Sequence, residues 1–133
     1  MTAISWTDDI LIHVDIIDNQ HKKLLELLND LYDAMNRGED KEALVPTIAA
    51  MADYTFYHFM TEEKLFERFE YPEAVSHKKE HRYFAKQVTE FQNRFDRGET
   101  VLSEDILLFL KSWINNHVKK SDQKLGPFLN TRS

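Results

Sequence analysis

Apolar residues recur at the spacing of an α-helix four times along this chain, and nothing else in the sequence constrains its fold as tightly. An i, i+3, i+4, i+7 recurrence puts side chains on one helical face, where they can meet a core. The first stretch, about residues 18–37, carries Leu24, Leu25, Leu28, Leu31 and Met35, with Gly38 behind it as a stop. The second carries Ile48, Met51, Thr55, Phe59, Leu65 and Phe66 and ends near Phe69. Asp40 could cap an early start for it, but Pro46 would then sit inside the helix at about 3 kcal/mol. The preferred start is therefore near Val45, with Pro46 in the first turn and a helix over 45–69. Pro72 opens the third stretch and Gly98 closes it, a helix over 72–97 carrying Val75, Phe84, Val88, Phe91 and Phe95. Ser103, followed by Glu104 and Asp105, caps the fourth, over 103–121, with Ile106, Phe109, Leu110, Trp113, Ile114 and Val118.

Three Gly and three Pro in 133 residues are too few for a turn-rich β fold and suit long helices on short loops. The length fits one domain. The sequence thus predicts an all-α, antiparallel up-down-up-down four-helix bundle. Residues 1–17 form an N-terminal arm and 122–133 a C-terminal tail, with Gly126-Pro127 ending anything helical. No second domain is expected.

Charge and hydropathy narrow the function. The net charge of −6 repels a phosphate backbone, so nucleic acid is not an expected partner. The longest uninterrupted apolar run, Ile106 to Leu110, is far below the roughly 20 residues a membrane span needs. No signal peptide is visible at Met1–Trp6, and the absence of cysteine excludes thiolate metal sites, which together predict a cytoplasmic protein.

The apolar stripes are interrupted by histidine in every helix. His21 precedes Leu24 on one face; His58 and Glu62 are four apart, as are His77 and His81; His117 follows Trp113 by four, and Asp122 comes five later. Four residues return a side chain to within about 40° of its start, one turn along. In an antiparallel bundle, the starts of odd helices and the ends of even ones share one end of the molecule. At 1.5 Å per residue, all seven groups fall within roughly 15 Å of that end. A single inward histidine is commonly a hydrogen-bonded core residue, and one His-x3-Glu pair occurs often by chance. Five imidazoles and two carboxylates converging in one core are costly without a ligand and suit a hard-to-borderline metal. Seven donors exceed one tetrahedral zinc and suit two bridged metals, iron above manganese or zinc. Asp122 fits least well, because five residues displace it by about 140° on an ideal helix; it requires a distorted last turn or a place beyond the helix. His13, among Ile10, Leu11, Ile12 and Val14, reads as a surface or packing residue.

The order His21, His58-x3-Glu62, His77-x3-His81, His117-x4-Asp122 resembles the full donor pattern of the hemerythrin family, bacteriohemerythrins in particular. Asp18-x2-His21-Lys22 and Trp113-x3-His117 resemble the local context of those donors, and the similarity runs from Trp6 to Leu129. The resemblance settles Asp122, because the family uses the same five-residue step. It implies two iron ions: one held by His77, His81 and His117, the other by His21 and His58, with Glu62, Asp122 and an oxo or hydroxo group bridging them. One position on the second iron is then open to dioxygen, which implies reversible dioxygen binding by a carrier, store or delivery protein rather than an enzyme. Leu24, Phe59, Trp113 and Val118 are the candidates for an apolar oxygen pocket. The alternatives are a di-iron oxidase, peroxidase or nitric-oxide-handling enzyme, and a sensing module acting through an oxygen-consuming or signalling partner. Oxygen-activating ferritin-like sites use Glu-x-x-His pairs, and none occurs here.

Overall fold

A computed structural model describes residues 11–131, in which five α-helices and one π turn form a four-helix bundle. The helices are α1 (Asp15–Asn36), α2 (Lys41–Phe69), α3 (Ala74–Asp96), α4 (Glu104–His117) and α5 (Gln123–Asn130). The π turn, Val118–Asp122, joins α4 to α5, so the last two helices form one interrupted rod. No strand occurs among the described residues. Most of the N-terminal arm, residues 1–10 with Trp6, lies outside them.

The stops of the first three helices and the start of the fourth are where the sequence places them. Gly38 at φ +70° closes α1: its N–H reaches the Met35 carbonyl and the Glu39 N–H the Ala34 carbonyl, which consumes two orphan carbonyls of the last turn. Gly98 repeats the arrangement after α3, and the Ser103 hydroxyl accepts from the Ile106 N–H at the start of α4. The second helix ends differently, on Glu70 in the left-handed region.

Four boundaries depart from the sequence reading. Helix α1 starts at Asp15, three residues early, because Asp18 faces back onto the arm: its carboxylate accepts from the Ile12 N–H at 2.8 Å and the His13 N–H at 3.0 Å. Helix α2 starts at Lys41, not near Val45, and takes Pro46 inside it. Asp40 caps it, accepting from the Ala43 N–H at 2.9 Å, and Leu44 becomes buried. A cap contributes about 1 kcal/mol and a buried leucine about 2, which together offset the roughly 3 that an interior proline costs. Pro72 lies in the turn before α3, which begins at Ala74 with Val75 exposed rather than on the stripe. The largest departure is the C-terminal tail, which is helical through Gly126 and Pro127. Leu125 and Leu129 bury themselves there against Ile12, Ile17, Phe66 and Tyr71, and that burial carries the helix past its breakers. Gly126 serves packing instead of stopping: a Cβ at this position would lie 2.3 Å from the Ile12 carbonyl oxygen.

The apolar interior has two parts. The larger runs the length of the bundle, from Leu31, Met51 and Val88 to Phe59, Phe84 and Val118; the smaller caps one end around Phe66 and Leu125. The predicted donors lie between them.

Candidate metal centre

Seven polar side chains are buried together where the two apolar clusters meet: His21, His58, Glu62, His77, His81, His117 and Asp122. The antiparallel topology brings them there, one from α1, two each from α2 and α3, one from α4 and one from the π turn. They fall into two groups whose facing atoms all lie within 4.8 Å of one another: Glu62 with His77, His81 and His117, and His21, His58, Glu62 and Asp122.

In the first group, His117 Nε2 lies 3.1 Å from His77 Nε2 and 3.1 Å from His81 Nε2. Nitrogens about 2.1 Å from one metal and at right angles to each other would be about 3.0 Å apart, so this spacing fits octahedral coordination. In the second, His21 Nε2 lies 3.0 Å from Asp122 Oδ2. Asp122 also faces the first group, its Oδ1 2.9 Å from His77 Nε2 and 3.3 Å from His117 Nε2. Glu62 Oε1 lies 3.0 Å from His81 Nε2 and 3.6 Å from both His58 Nε2 and His77 Nε2. Each carboxylate therefore stands between the groups.

Apart from the contacts of His117 Nε2 with His77 and His81, proximity here is not hydrogen bonding. His21 Nε2, His58 Nε2 and both oxygens of Glu62 and of Asp122 are buried without a hydrogen-bond partner. Buried polar atoms are almost always paired; a set of donors that is close but largely unpaired and converges on shared points is what cation ligands look like. The donor set therefore fits two metal ions. Electrostatics agree. Burial alone would lower the His117 imidazole, but the Asp122 and Glu62 carboxylates outweigh it and push it up to about 12. His77 is likewise pushed up to about 9 against burial, whereas burial wins at His58 and lowers it to about 4. Burial opposes the charge of Glu62, and of Asp122 together with the Glu62 charge beside it, yet the surrounding imidazoles hold both below the usual carboxylate range. The cluster attracts positive charge.

The π turn accounts for Asp122. Its i→i+5 bonding adds one residue to a turn and returns the fifth side chain to the side an α-helix reserves for the fourth. Of the two options the spacing left open, the distorted last turn is the one adopted.

Aromatic rings wall the three-imidazole group. Phe59 stacks on His81 at 3.9 Å, Trp113 on His117 at 4.6 Å, and Phe66 lies 4.7 Å from His77. Of the four pocket candidates, Phe59 and Trp113 thus stand mainly against the three-imidazole group, while Leu24, one turn beyond His21, and Val118 are buried. His13 is exposed, outside the cluster, at φ +64°.

Sequence reading missed the residues that hold the imidazoles. His58 Nδ1–H donates to Gln20 Oε1 at 2.7 Å, His81 Nδ1–H to Glu63 at 2.9 Å, and His117 Nδ1–H to Glu80 at 2.9 Å. Ser121 donates to both Glu80 oxygens, and Gln20 donates its amide to Thr61. Each bond leaves Nε2 to face the centre. The signal was adjacency: Gln20, Glu63, Glu80 and Ser121 each neighbour a donor in sequence, a polar residue flanking the stripe.

Comparison with known proteins agrees with this geometry. The family model described as the hemerythrin HHE cation binding domain matches residues 12–129. A bacteriohemerythrin of Stenotrophomonas maltophilia (strain R551-3) is 37% identical over 123 residues, covering 92% of this chain and 79% of that protein. One from Methylococcus capsulatus (strain ATCC 33009 / NCIMB 11132 / Bath) is 30% identical over 130 residues, covering 97% and 98%. A crystal structure of wild-type hemerythrin superposes with a TM-score of 0.91 at 29% identity, covering 96% of this chain and 98% of that one. A point mutant of hemerythrin gives 0.92, also at 29%, covering 97% and 98%.

Proposed function

Because this chain belongs to the hemerythrin family, we propose that it binds dioxygen reversibly at a non-haem di-iron centre and performs no net reaction on it. His77, His81 and His117 would hold one iron and His21 and His58 the other, with Glu62 and Asp122 shared between the two positions and an oxo or hydroxo group completing the centre. When bound, the two irons supply the electron pair that dioxygen takes up on binding and returns on release.

The observation that carries this reading is the unequal division of one buried donor set, three imidazole nitrogens on one side and two on the other, with both carboxylates between. The two-imidazole side has one protein donor fewer, and a small ligand enters there. What the chain does next depends on protons. Activation of dioxygen, as an oxidase or peroxidase performs it, needs an acid at hand. Leu24, Phe59, Trp113 and Val118 carry no acidic proton to give, and the burial of Leu24, Phe59 and Val118, with Trp113 partly buried beside them, excludes water. The ring of Tyr71 lies 6.4 Å from the His77 ring, and burial with the surrounding carboxylates pushes its hydroxyl up to about 12, so it keeps its proton. Binding without cleavage is the outcome such surroundings favour. No helix among the described residues is long and apolar enough to cross a membrane, and a cytoplasmic oxygen carrier, store or delivery protein is the role we assign.

The test is to load the metal-free chain with ferrous iron under argon, count metal per chain, and cycle dioxygen while recording the optical spectrum. Two irons and an absorption band that comes and goes with oxygen are expected. Two irons that oxidise once and do not recover would instead support an oxidase or a sensor; a chain that does not hold two irons would end the reading.

A further inference from the structure

The hydrogen bonds behind the imidazoles follow a rule: each runs from a histidine to the preceding helix. Gln20 of α1 receives His58 of α2, Glu63 of α2 receives His81 of α3, and Glu80 of α3 receives His117 of α4. The partners differ in charge, and the difference follows the division of the centre. Both carboxylates stand behind the three-imidazole group. A neutral amide stands behind His58, and the Nδ1 of His21, buried, has no hydrogen-bond partner.

This matters because an imidazole transmits charge. A carboxylate that accepts Nδ1–H stabilises positive character on the ring and makes Nε2 the stronger donor; an amide oxygen does so less, and an unpartnered Nδ1 not at all. Glu80 is well placed for it: it accepts from His117 Nδ1 at 2.9 Å, and the Ser121 hydroxyl, 2.6 and 2.7 Å from its two oxygens, fixes the carboxylate in that position. Gln20 is equally fixed, its amide oxygen toward His58 and its NH2 toward Thr61, which prevents the amide from flipping.

On the di-iron reading, on which this inference rests, we propose that Glu63 and Glu80 are positioning residues that make the three-imidazole position the tighter of the two metal sites, and that Gln20 keeps the two-imidazole position weaker. The asymmetry is set by charge behind the donors, beyond the count of donors. It leaves the more weakly donated metal on the side where a ligand enters.

The experiment is a titration of the metal-free chain with ferrous iron under argon, against a competing chelator. The wild-type chain should bind two irons in two resolved steps. Glu80→Gln and Glu63→Gln keep an acceptor of the same size and remove only charge; each should weaken the tighter step by about 10–100-fold and leave the weaker step in place. Gln20→Glu should strengthen the weaker step and draw the two together, an effect that a fold defect cannot mimic. Melting of each metal-free variant provides the control, since a purely structural role would lower it and weaken both steps alike. Equal steps in the wild type, or variants that shift both steps equally, overturn the asymmetry while two irons still bind. Fewer than two irons in the wild type overturns the di-iron reading and the asymmetry with it.

Discussion

Asp122 follows His117 by five residues, yet its Oδ1 lies 3.3 Å from the His117 Nε2. On a continuous α-helix the two side chains would diverge by about 140°. The π turn over Val118–Asp122 closes that angle with one additional residue. Lys120, exposed on this turn, is therefore needed as a spacer and not for its charge. Deleting Lys120 should restore α-helical register, swing Asp122 away from the centre and reduce bound iron from two per chain to one or none. Lys120→Ala should keep both. Metal analysis beside far-UV circular dichroism checks this; a deletion variant that keeps two irons would refute the spacer role.

Metal uptake should expel protons. At pH 7 the metal-free centre holds a proton on His77, raised to about 9, and on His117, raised to about 12. Both must leave for a metal to bind Nε2, and His21 is raised too, against its burial, by the carboxylates around it, so at least about two protons per chain should appear on loading. Calorimetry in two buffers of different ionisation enthalpy counts them.

The same groups set how stability varies with pH. His77 has a folded-state pKa above the ordinary 6.5, so its contribution is complete below about 6.5 and disappears as pH rises through about 9. The melting temperature of the metal-free protein should fall across that window. The loaded protein should not follow it there, because its imidazoles are already deprotonated. A flat or rising profile for the metal-free chain would contradict the assignment.

Most of the helical architecture and the convergence of the seven polar side chains could be read in advance because both rest on periodicity. Leu24, Leu28 and Leu31 repeat at the same interval that places His58 four before Glu62 and His77 four before His81, and a bundle needs little else. Boundaries were harder where two local effects competed. Pro46 argues against helix, and the Asp40 cap reverses it only together with the burial of Leu44, a tertiary fact. Gly126-Pro127 looks like a stop until Ile12 packs over it. The π turn is invisible to periodicity, which assumes an unbroken register. Gln20, Glu63 and Glu80 escaped for another reason: their partners lie on neighbouring helices, and no spacing within one helix records that.

Gly126→Ala tests the docking of the arm. With a Cβ 2.3 Å from the Ile12 carbonyl oxygen, backbone must move, and overpacking of this kind typically costs about 1–3 kcal/mol. Urea unfolding should register that loss. An alanine variant of wild-type stability would show that the arm yields freely.

Leu24→Ala tests the apolar shield. Leu24 is buried one turn beyond His21, and truncation should cost about 2–5 kcal/mol while retaining both irons. If the leucine keeps water and protons from the centre, the oxygenated form should decay to the ferric state several-fold faster. An unchanged decay rate makes Leu24 ordinary packing.

The arm and the final helix meet over one end of the bundle: the Gln123 amide donates to the Leu11 carbonyl, and Gly126 lies against Ile12. His21 and Asp122, 3.0 Å apart in the folded chain, are near opposite ends of the sequence. During synthesis, α1 leaves the ribosome long before its carboxylate partner has been made. A nascent chain can pair α1 with α2, and α2 with α3, yet it carries no complete two-imidazole position until the π turn has emerged. The two-imidazole position is thus completed only after α4 and the π turn have been made, and a chain cut before Asp122 cannot assemble it, whatever helices it has formed.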